Sequence, residues 1–194
     1  MLQVFFDVET KNMLEDVGGY FPEKLDISFI GACVREGQAG AGEMIGFFER
    51  ELPKFLELLD RADVVIGFNS DNFDLPTLTR HYHGKIKDIP SLDLMDRIKK
   101  SCGHRIGLDA VTSATFNIGK TGNGLDAIKF YKEGRLKELA DYCLQDVRIT
   151  KDLYDYGLKN GKVKFKNKWN RTIDCPVDFS FTPKKTNGKQ DSLF

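Results

Sequence analysis

The feature that most constrains the fold is an apolar segment close to the N-terminus that ends in two acidic residues. Residues 2–8 (LQVFFDV) are rich in β-branched and aromatic side chains, which predicts a buried central strand. Because side chains alternate between the faces of a strand, Asp7 and Glu9 are expected to project from the same side. Two carboxylates there are costly unless a partner neutralises them, and a divalent cation is the natural partner. The alternative is that the strand ends at Asp7 and both acids lie in solvent.

The remaining pattern predicts strands in the first half of the chain and helices in the second. Apolar runs favour further strands, and apolar residues at spacings of three and four favour helices. Gly157 and Gly161 are expected to end the last helix. This order predicts an α/β fold with a mixed central sheet flanked by helices. The predicted strands are 27–34, 43–48 and 63–68, and the predicted helices are 51–61, one from about 75, 92–100, 108–116, 125–131 and 135 to about 156.

The chain of 194 residues has room for one globular domain and a short appendage. We expect the domain to span residues 1–160. Residues 161–181 form a C-terminal extension in which alternating Lys and apolar residues favour a hairpin. Residues 182–194 are polar and basic, with Pro, Gly and Asn, which predicts a flexible tail.

Net charge is zero, but the charges are unevenly distributed. Residues 157–194 carry nine Lys/Arg against three acids, a balance of +6, and the rest of the chain carries 20 basic and 26 acidic residues, a balance of −6. This asymmetry suggests an acidic catalytic body beside a basic arm that attracts phosphates. Lysines that merely keep a tail soluble are the alternative.

The cysteines and the apolar runs bear on the cellular setting. Cys33, Cys102, Cys143 and Cys175 form no C-x-x-C pair, so no zinc ribbon or redox pair is indicated. Scattered cysteines are expected to be reduced, which fits the cytoplasm. No apolar run approaches the roughly 20 residues needed to span a bilayer, and the N-terminal segment is unlike a signal peptide. We therefore expect a cytoplasmic protein with no membrane partner.

Two further acids follow predicted elements. Asp74, in GFNSDNFDLPTL, comes just after a strand, where open α/β sheets keep their sites. It is a candidate ligand, with a helix N-cap as the alternative and Asp71 as a weaker local competitor. Tyr142 and Asp146 lie four residues apart on the longest helix and therefore share a face. The alternative is that Tyr142 belongs to the core and that Asp146 pairs with Arg148 or Lys151.

The order of these motifs is more specific than any one of them. D-x-E at residues 7–9, N-x-x-x-F-D ending at Asp74 and Y-x-x-x-D at residues 142–146 resemble the three exonuclease motifs of the DEDD superfamily, in its Tyr-bearing (DEDDy) branch. The resemblance runs from about Leu2 to Tyr156. GFNSDNFDLPTL is especially similar to the second motif of family B DNA polymerases. The resemblance implies a ribonuclease-H-like fold and a stand-alone 3′→5′ exonuclease.

The same resemblance implies roles for individual residues. Asp7 would bridge two divalent cations, Mg²⁺ or Mn²⁺; Glu9 and Asp146 would complete the site that holds the attacking water, and Asp74 would hold the second ion. Tyr142 would orient that water or help to deprotonate it. Thr10 and Asn69 would lie near the terminal nucleotide. Asp93 also lies near the expected cleft, but no motif assigns it.

The last five residues resemble the short motif by which bacterial replication and repair proteins bind the β sliding clamp. Gln190, Ser192, Leu193 and Phe194 match its pattern, in which an extended peptide inserts two apolar anchors into a pocket. The alternative is that Phe194 folds back onto the domain.

Together these features favour an exonuclease that acts on single-stranded DNA 3′ ends in replication or repair. An RNA-trimming exonuclease would use the same residues, so it stays open. An inert module that binds nucleic acid or a clamp is a different class, which the complete acidic set argues against. The Y-x-x-x-D motif disfavours an endonuclease.

Overall fold

The computed structural model describes residues 1–117 and 124–182. The C-terminal motif (Gln190, Ser192, Leu193 and Phe194) lies outside the described residues, as does the rest of the predicted tail from residue 183 onwards.

Five strands form the central sheet, in the order β3-β2-β1-β4-β5. The first three make an antiparallel meander, and β4 and β5 run parallel to β1. This is the mixed sheet that the sequence predicts, with β1 in the centre. The strands are β1 (Leu2–Thr10), β2 (Ile27–Glu36), β3 (Glu43–Phe48), β4 (Val64–Gly67) and β5 (Ser91–Asp93).

Helices cover both faces of the sheet. Side chains of α1 and α2 belong to the apolar cluster on one face, and those of α3, α4 and α6 belong to the cluster on the other. None of the helices in the described ranges is long and apolar enough to cross a bilayer. The helices are α1 (Leu52–Arg61), α2 (Asp74–Thr77), α3 (Leu94–Cys102), α4 (Leu108–Phe116), α5 (Gly124–Lys132) and α6 (Leu136–Asn160).

Alternation along β1 decides where its two acids point. Val4, Phe6 and Val8 pack in the cluster that includes α1, whereas Phe5 packs on the opposite face with α6. Asp7 and Glu9 share the face of Phe5. The strand therefore presents both carboxylates to α6 while its other face is buried in apolar side chains.

The structure corrects two predicted boundaries. A helix was expected from residue 92, but residues 91–93 form β5 and α3 begins at Leu94. Asp93 is the reason, since its side chain caps the helix by accepting the N–H groups of Met95 and Asp96. The last helix was expected to run to about Tyr156 and to be ended by Gly157 and Gly161, but α6 continues through Gly157 to Asn160 and is capped by Gly161 alone, whose φ is +63°.

Gly157 instead provides space for a close contact inside α6. A Cβ at this position would lie 2.3 and 2.4 Å from ring carbons of Phe179, which is itself 1% exposed. The glycine thus lets the segment after the last strand pack directly on the helix, against the stacked ring of Tyr154.

Gly157→Ala is expected to destabilise the protein. Alanine is favoured over glycine in a helix by about 1 kcal/mol, but overpacking a core costs about 1–3 kcal/mol, so the clash with Phe179 should dominate. Urea unfolding measures the change in the free energy of unfolding. In a Phe179→Ala background the same substitution should become neutral or stabilising. Stabilisation by Gly157→Ala in both backgrounds would contradict the packing described.

The segment after α6 is an antiparallel hairpin that is separate from the main sheet. It consists of β6 (Lys162–Lys166) and β7 (Thr172–Pro176). Val163, Phe165 and Cys175 face the core, and Cys175 is bonded to Cys102 at the end of α3. The expectation that all cysteines are reduced is therefore wrong for this pair. The hairpin folds back over α3. Two cysteines that are separated by 73 residues in sequence thereby come to a Cα–Cα distance of 6.2 Å, a proximity that their spacing in the sequence does not reveal.

Candidate active site

A cavity of about 400 Å³ opens beside the end of β1, between the loop after β4 and helix α6. The structure brings together here all seven residues that the sequence singles out for catalysis, metal binding and contact with the nucleotide. None of the described residues that line the cavity is Lys, Arg or His. The seven are Asp7, Glu9, Thr10, Asn69, Asp74, Tyr142 and Asp146.

Asp7 and Glu9 form the floor of the cavity together with a buried thiol. Donor atoms of Asp7, Glu9 and Cys143 all lie within 4.8 Å of one another. The Cys143 thiol lies 3.5 Å from both the main-chain oxygen and Oδ2 of Asp7 and donates to them. Burial raises the pKa of this thiol well above its usual value, so it stays protonated and contributes a hydrogen bond, not an anionic ligand.

Asp74 reaches the cavity from the loop that follows β4. It lies in the first turn of α2 and is 3% exposed, and no side-chain capping bond is made at that helix terminus. Strand β4 pairs with β1 only as far as Phe5, and beyond this point the N–H of Val8 donates to Asp74 Oδ1 at 2.8 Å. Asp71 is exposed and does not line the cavity. The geometry therefore favours Asp74 over Asp71 as a ligand.

Tyr142 and Asp146 face the cavity from α6, one turn apart. Burial, and then the nearby Asp146 carboxylate, raise the pKa of the Tyr142 phenol. The alternative partners of Asp146 are engaged elsewhere, because Arg148 contacts Gln145 and Lys151 pairs with Asp152 and Asp155. Asp146 is thus available to the cavity.

Burial and mutual repulsion perturb all four carboxylates. Burial raises the pKa of Asp7 to about 6, although the Cys143 hydrogen bond opposes the shift. Burial and the nearby Asp7 raise the pKa of Asp146 to about 7. The pKa values of Glu9 and Asp74 are raised well above their usual range, first by burial and then by the neighbouring acids. Protein cations do not relieve this repulsion inside the cavity.

The donor set fits hard divalent cations. Mg²⁺ and Mn²⁺ prefer carboxylate oxygens, and four carboxylates that repel one another are neutralised by such ions. Asp7, Glu9, Asp74 and Asp146 are the residues that would hold the ions.

Without metal, the protein is expected to lose stability as the pH rises. The folded pKa values of Asp7 (about 6) and Asp146 (about 7) exceed their unfolded value of 3.8. The unfolded state therefore binds fewer protons between about pH 4 and pH 7, and stability falls across that window. In EDTA the melting temperature should be about 8–16 °C higher at pH 5 than at pH 8, from about three units of titration at roughly 1.4 kcal/mol each and about 2–4 °C per kcal/mol.

Two measurements accompany the pH scan. Mn²⁺ added at pH 8 should raise the melting temperature, and Asp146→Asn should flatten the pH dependence of the metal-free protein. A metal-free melting temperature that stays constant or increases from pH 5 to pH 8 would contradict the electrostatics described.

Asn69 lies at the rim of the cavity in a strained backbone conformation that Asp93 supports. Its φ is +68°, and its N–H donates to Asp93 Oδ1 at 2.9 Å. Asp93 also accepts the N–H of Asp71 while it caps α3, and it does not line the cavity. The acid that no motif assigned therefore positions the loop of Asn69. Arg105, which the sequence did not single out, donates to Asn69 Oδ1 at 2.9 Å.

Thr10 is 6% exposed, and its hydroxyl donates to the main-chain oxygen of Asn12. It thereby fixes the start of the loop after β1, which lines one side of the cavity. That loop contains no recognisable motif. Only its position directly after the acidic strand could have indicated that it lines the cavity. Its lining residues are Asn12, Met13, Leu14, Glu15 and Leu25.

The family model described as the RNase H superfamily matches residues 4–157. The chain therefore belongs to this superfamily. Nucleases of this superfamily generally use divalent metal ions. No curated protein matches the chain.

The solved structures that match part of this chain include the following two. A family B DNA polymerase from the hyperthermophilic archaeon Pyrobaculum calidifontis is 18% identical with a TM-score of 0.62, over 81% of this chain and 24% of the polymerase. Exonuclease I of E. coli, in a zinc-bound complex with single-stranded DNA, is 14% identical with a TM-score of 0.46, over 82% of this chain and 41% of the exonuclease. The chain thus spans less than half the length of either protein.

Proposed function

We propose that the protein is a DEDDy-type 3′→5′ exonuclease that releases nucleotides from single-stranded DNA ends with two divalent cations, Mg²⁺ or Mn²⁺. One observation carries the proposal: four carboxylates from three separate segments line one cavity together with the phenol of Tyr142. This arrangement matches the order and residue types of the three exonuclease motifs. The superfamily match supports nuclease activity.

In the proposed site, Asp7, Glu9, Asp74 and Asp146 hold the ions. When bound, two cations lower the pKa of a water nucleophile and stabilise the attacking and leaving oxygens of an in-line displacement. The β1 strand and the Val8 N–H fix Asp7 and Asp74 relative to each other, so these ligands do not have to reorganise during the reaction.

Tyr142 is proposed to position the attacking water. Burial and the surrounding carboxylates raise the pKa of its phenol well above the usual value, which favours a protonated donor over a general base. Of the two roles that the resemblance implies, orientation of the water is therefore preferred. Asn69 and Thr10, which both line the cavity, are proposed to contact the terminal nucleotide.

A labelled-oligonucleotide assay tests the proposal. Purified protein is incubated with 3′-labelled and 5′-labelled DNA and RNA strands, with Mn²⁺, with Mg²⁺ or with EDTA. Mononucleotides released only from the 3′ end of DNA, in a metal-dependent reaction, are the expected result. Preferential release from RNA identifies an exoribonuclease, which the same residues permit. Internal cuts, or cleavage that is equally fast in EDTA, contradict the proposal.

The C-terminal motif supports a separate proposal, a role in replication or repair through a β sliding clamp, in the cytoplasm. Its support is the sequence Gln190–Phe194, a register-fixing Gln followed by two apolar anchors. Leu193→Ala with Phe194→Ala should abolish clamp binding in a titration and leave degradation of a free oligonucleotide unchanged. Equal binding by both proteins, or no binding of the full-length protein at micromolar concentrations, would show that the motif is a coincidence.

A further inference from the structure

The hairpin of β6 and β7 has one buried face and one charged face. Val163 and Phe165 point into the core, so the alternating Lys162, Lys164 and Lys166 point outward. The hairpin is fixed to the body, because the N–H of Lys164 donates to Thr115 Oγ1 on α4 at 2.9 Å and Cys175 is bonded to Cys102. Its outer face is therefore a rigid surface.

This surface is strongly positive although the whole chain is neutral. Residues 162–176 contain five basic residues and one acid, a balance of +4, so the remaining 179 residues carry −4. The single acid, Asp174, pairs with Lys162 at 2.6 Å. Within the described ranges no ion pair is made by the hairpin's other cations, which are Lys164, Lys166, Lys168 and Arg171.

The turn of the hairpin presents an aromatic ring to solvent. Asn167 Oδ1 accepts the N–H groups of Trp169 and Arg171, at 3.0 and 3.1 Å, which gives the turn a defined shape. Trp169 is 68% exposed, more than any other large apolar side chain in the described residues. Lys168 Nζ lies 4.5 Å from the centre of its ring. An exposed ring between cations is the combination that binds unpaired bases and their phosphates.

A continuous set of contacts links this surface to the catalytic cavity. Arg105 contacts Asn69 at the cavity rim, and the ring of the neighbouring His104 packs edge-on against Phe165 of β6, with centroids 5.6 Å apart. Helix α4 makes a parallel link, since it packs on both α6 and β6 and its Thr115 bonds Lys164 near the end of the helix. The hairpin therefore lies beside the cavity and on the same side of the sheet.

We propose that the basic hairpin is a docking surface for the single-stranded part of the nucleic acid, with Trp169 stacking on an unpaired base and the lysines contacting phosphates. The proposal rests on the proposed nuclease function, because the link to the cavity is what favours nucleic acid over other polyanions. Among the described residues that line the acidic cavity, where the strand end would bind, none is a cation that could contact the phosphates further along. The hairpin supplies those cations at a fixed position.

The distances predict a dependence on strand length. Helix α4, which packs on both α6 and β6, has 9 residues and is therefore about 13 Å long. Since a stacked strand advances about 3.4 Å per nucleotide, a trinucleotide in the cavity ends before the hairpin turn, whereas a strand of about 12 nucleotides reaches it. Long strands should therefore engage Trp169, and trinucleotides should not.

The chain's single tryptophan gives a direct readout. In EDTA, where cleavage is prevented, titration with 12-mer oligothymidylate should quench the fluorescence of Trp169 in a saturable, salt-sensitive manner. A trinucleotide should cause little quenching. The same titration is repeated with vesicles of anionic phospholipid and with a DNA duplex of equal length for comparison. Quenching by the vesicles but not by the single strand would overturn the proposal and identify a membrane surface.

Variants then separate stacking from charge, with anisotropy of a labelled 12-mer as the measurement. Trp169→Ala should weaken binding by about 5- to 150-fold, the range for loss of one base–aromatic stack, and Trp169→Phe should restore most of the affinity. The double substitution Lys166→Glu and Lys168→Glu should make the plot of the log of the association constant against the log of the salt concentration less steep, by about 1.4. The matched control is Lys85→Glu with Lys87→Glu, whose neighbour Ile86 packs on the opposite face of the sheet. It should leave the binding unchanged.

The same set of proteins distinguishes failure of this proposal from failure of the proposed function. If the wild-type protein degrades 12-mers and Trp169→Ala degrades them with the same KM and kcat, and binding is also unaltered, the hairpin proposal is wrong and the exonuclease stands. If no strand is cleaved under any metal but the 12-mer still quenches Trp169, the exonuclease is wrong and the docking surface stands. The expected result is a raised KM for the 12-mer and unchanged cleavage of the trinucleotide.

Discussion

Asp7→Asn is expected to reduce nuclease activity by about 10³-fold or more and to raise the stability of the metal-free protein. Asp7 lies on the floor of the cavity, within 4.8 Å of Glu9, and raises the pKa values of Glu9, Asp74 and Asp146. Loss of its charge removes a ligand whose ions supply several kcal/mol of transition-state stabilisation, and each 1.36 kcal/mol is tenfold in rate. The measurement is the rate of mononucleotide release at saturating Mn²⁺.

Stability is measured on the same variant in EDTA at pH 8. Wild-type Asp7, with a pKa of about 6, is ionised there and repels its neighbours, so the neutral amide should raise the melting temperature. Asp71→Asn is the matched control, because Asp71 is a nearby but exposed acid outside the cavity. It should keep both activity and stability. Near-wild-type activity of Asp7→Asn, or a loss in Asp71→Asn as large as in Asp7→Asn, would falsify the assignment of the metal ligands.

Tyr142→Phe should lower the rate of cleavage by about 10- to 1000-fold without a comparable loss of metal affinity. The substitution removes the phenol hydroxyl near Asp146 and leaves the ring, which packs near Phe130 at a centroid distance of 6.5 Å. One positioned catalytic group typically contributes this range of rate. Single-turnover cleavage gives the rate, and Mn²⁺ titration gives the affinity.

Tyr156→Phe serves as the control for Tyr142→Phe, since Tyr156 lies on the same helix and its ring packs against Phe116 away from the cavity. Its activity should be unchanged. A large loss of Mn²⁺ affinity in Tyr142→Phe would mean that the phenol maintains the metal site itself, and the water-positioning role would then be abandoned.

Local periodicity was sufficient to predict most of the fold and the relation between neighbouring site residues. Alternation along β1 fixes Asp7 and Glu9 on one face whatever the rest of the chain does, and the helical repeat places Tyr142 and Asp146 together. The meander of β1, β2 and β3 was likewise visible as separate apolar runs. These features depend on interactions within one segment, which a sequence displays directly.

Two features were not predicted correctly, because a single segment of the sequence does not display them. Strand β5 has three residues, too few to show alternation, and its Leu92 blended into the apolar spacing of the following helix. Gly157 was interpreted from its intrinsic helix preference, whereas Phe179, 22 residues away in sequence, decides its use. Tertiary packing outweighed propensity in both cases.

By itself, the sequence determined the residue types of the candidate site, their order along the chain and the mixed sheet that carries them. Only the tertiary structure decided that Asp74 and not Asp71 enters the cavity, that Asp93 supports a strained loop, and that Arg105 lies at the rim. It also decided that Cys102 meets Cys175 and that the basic hairpin lies beside the cavity. Each of these outcomes depends on contacts between segments far apart in sequence. Such contacts follow from how helices and the hairpin cover the faces of the sheet, and no local sequence pattern encodes that arrangement.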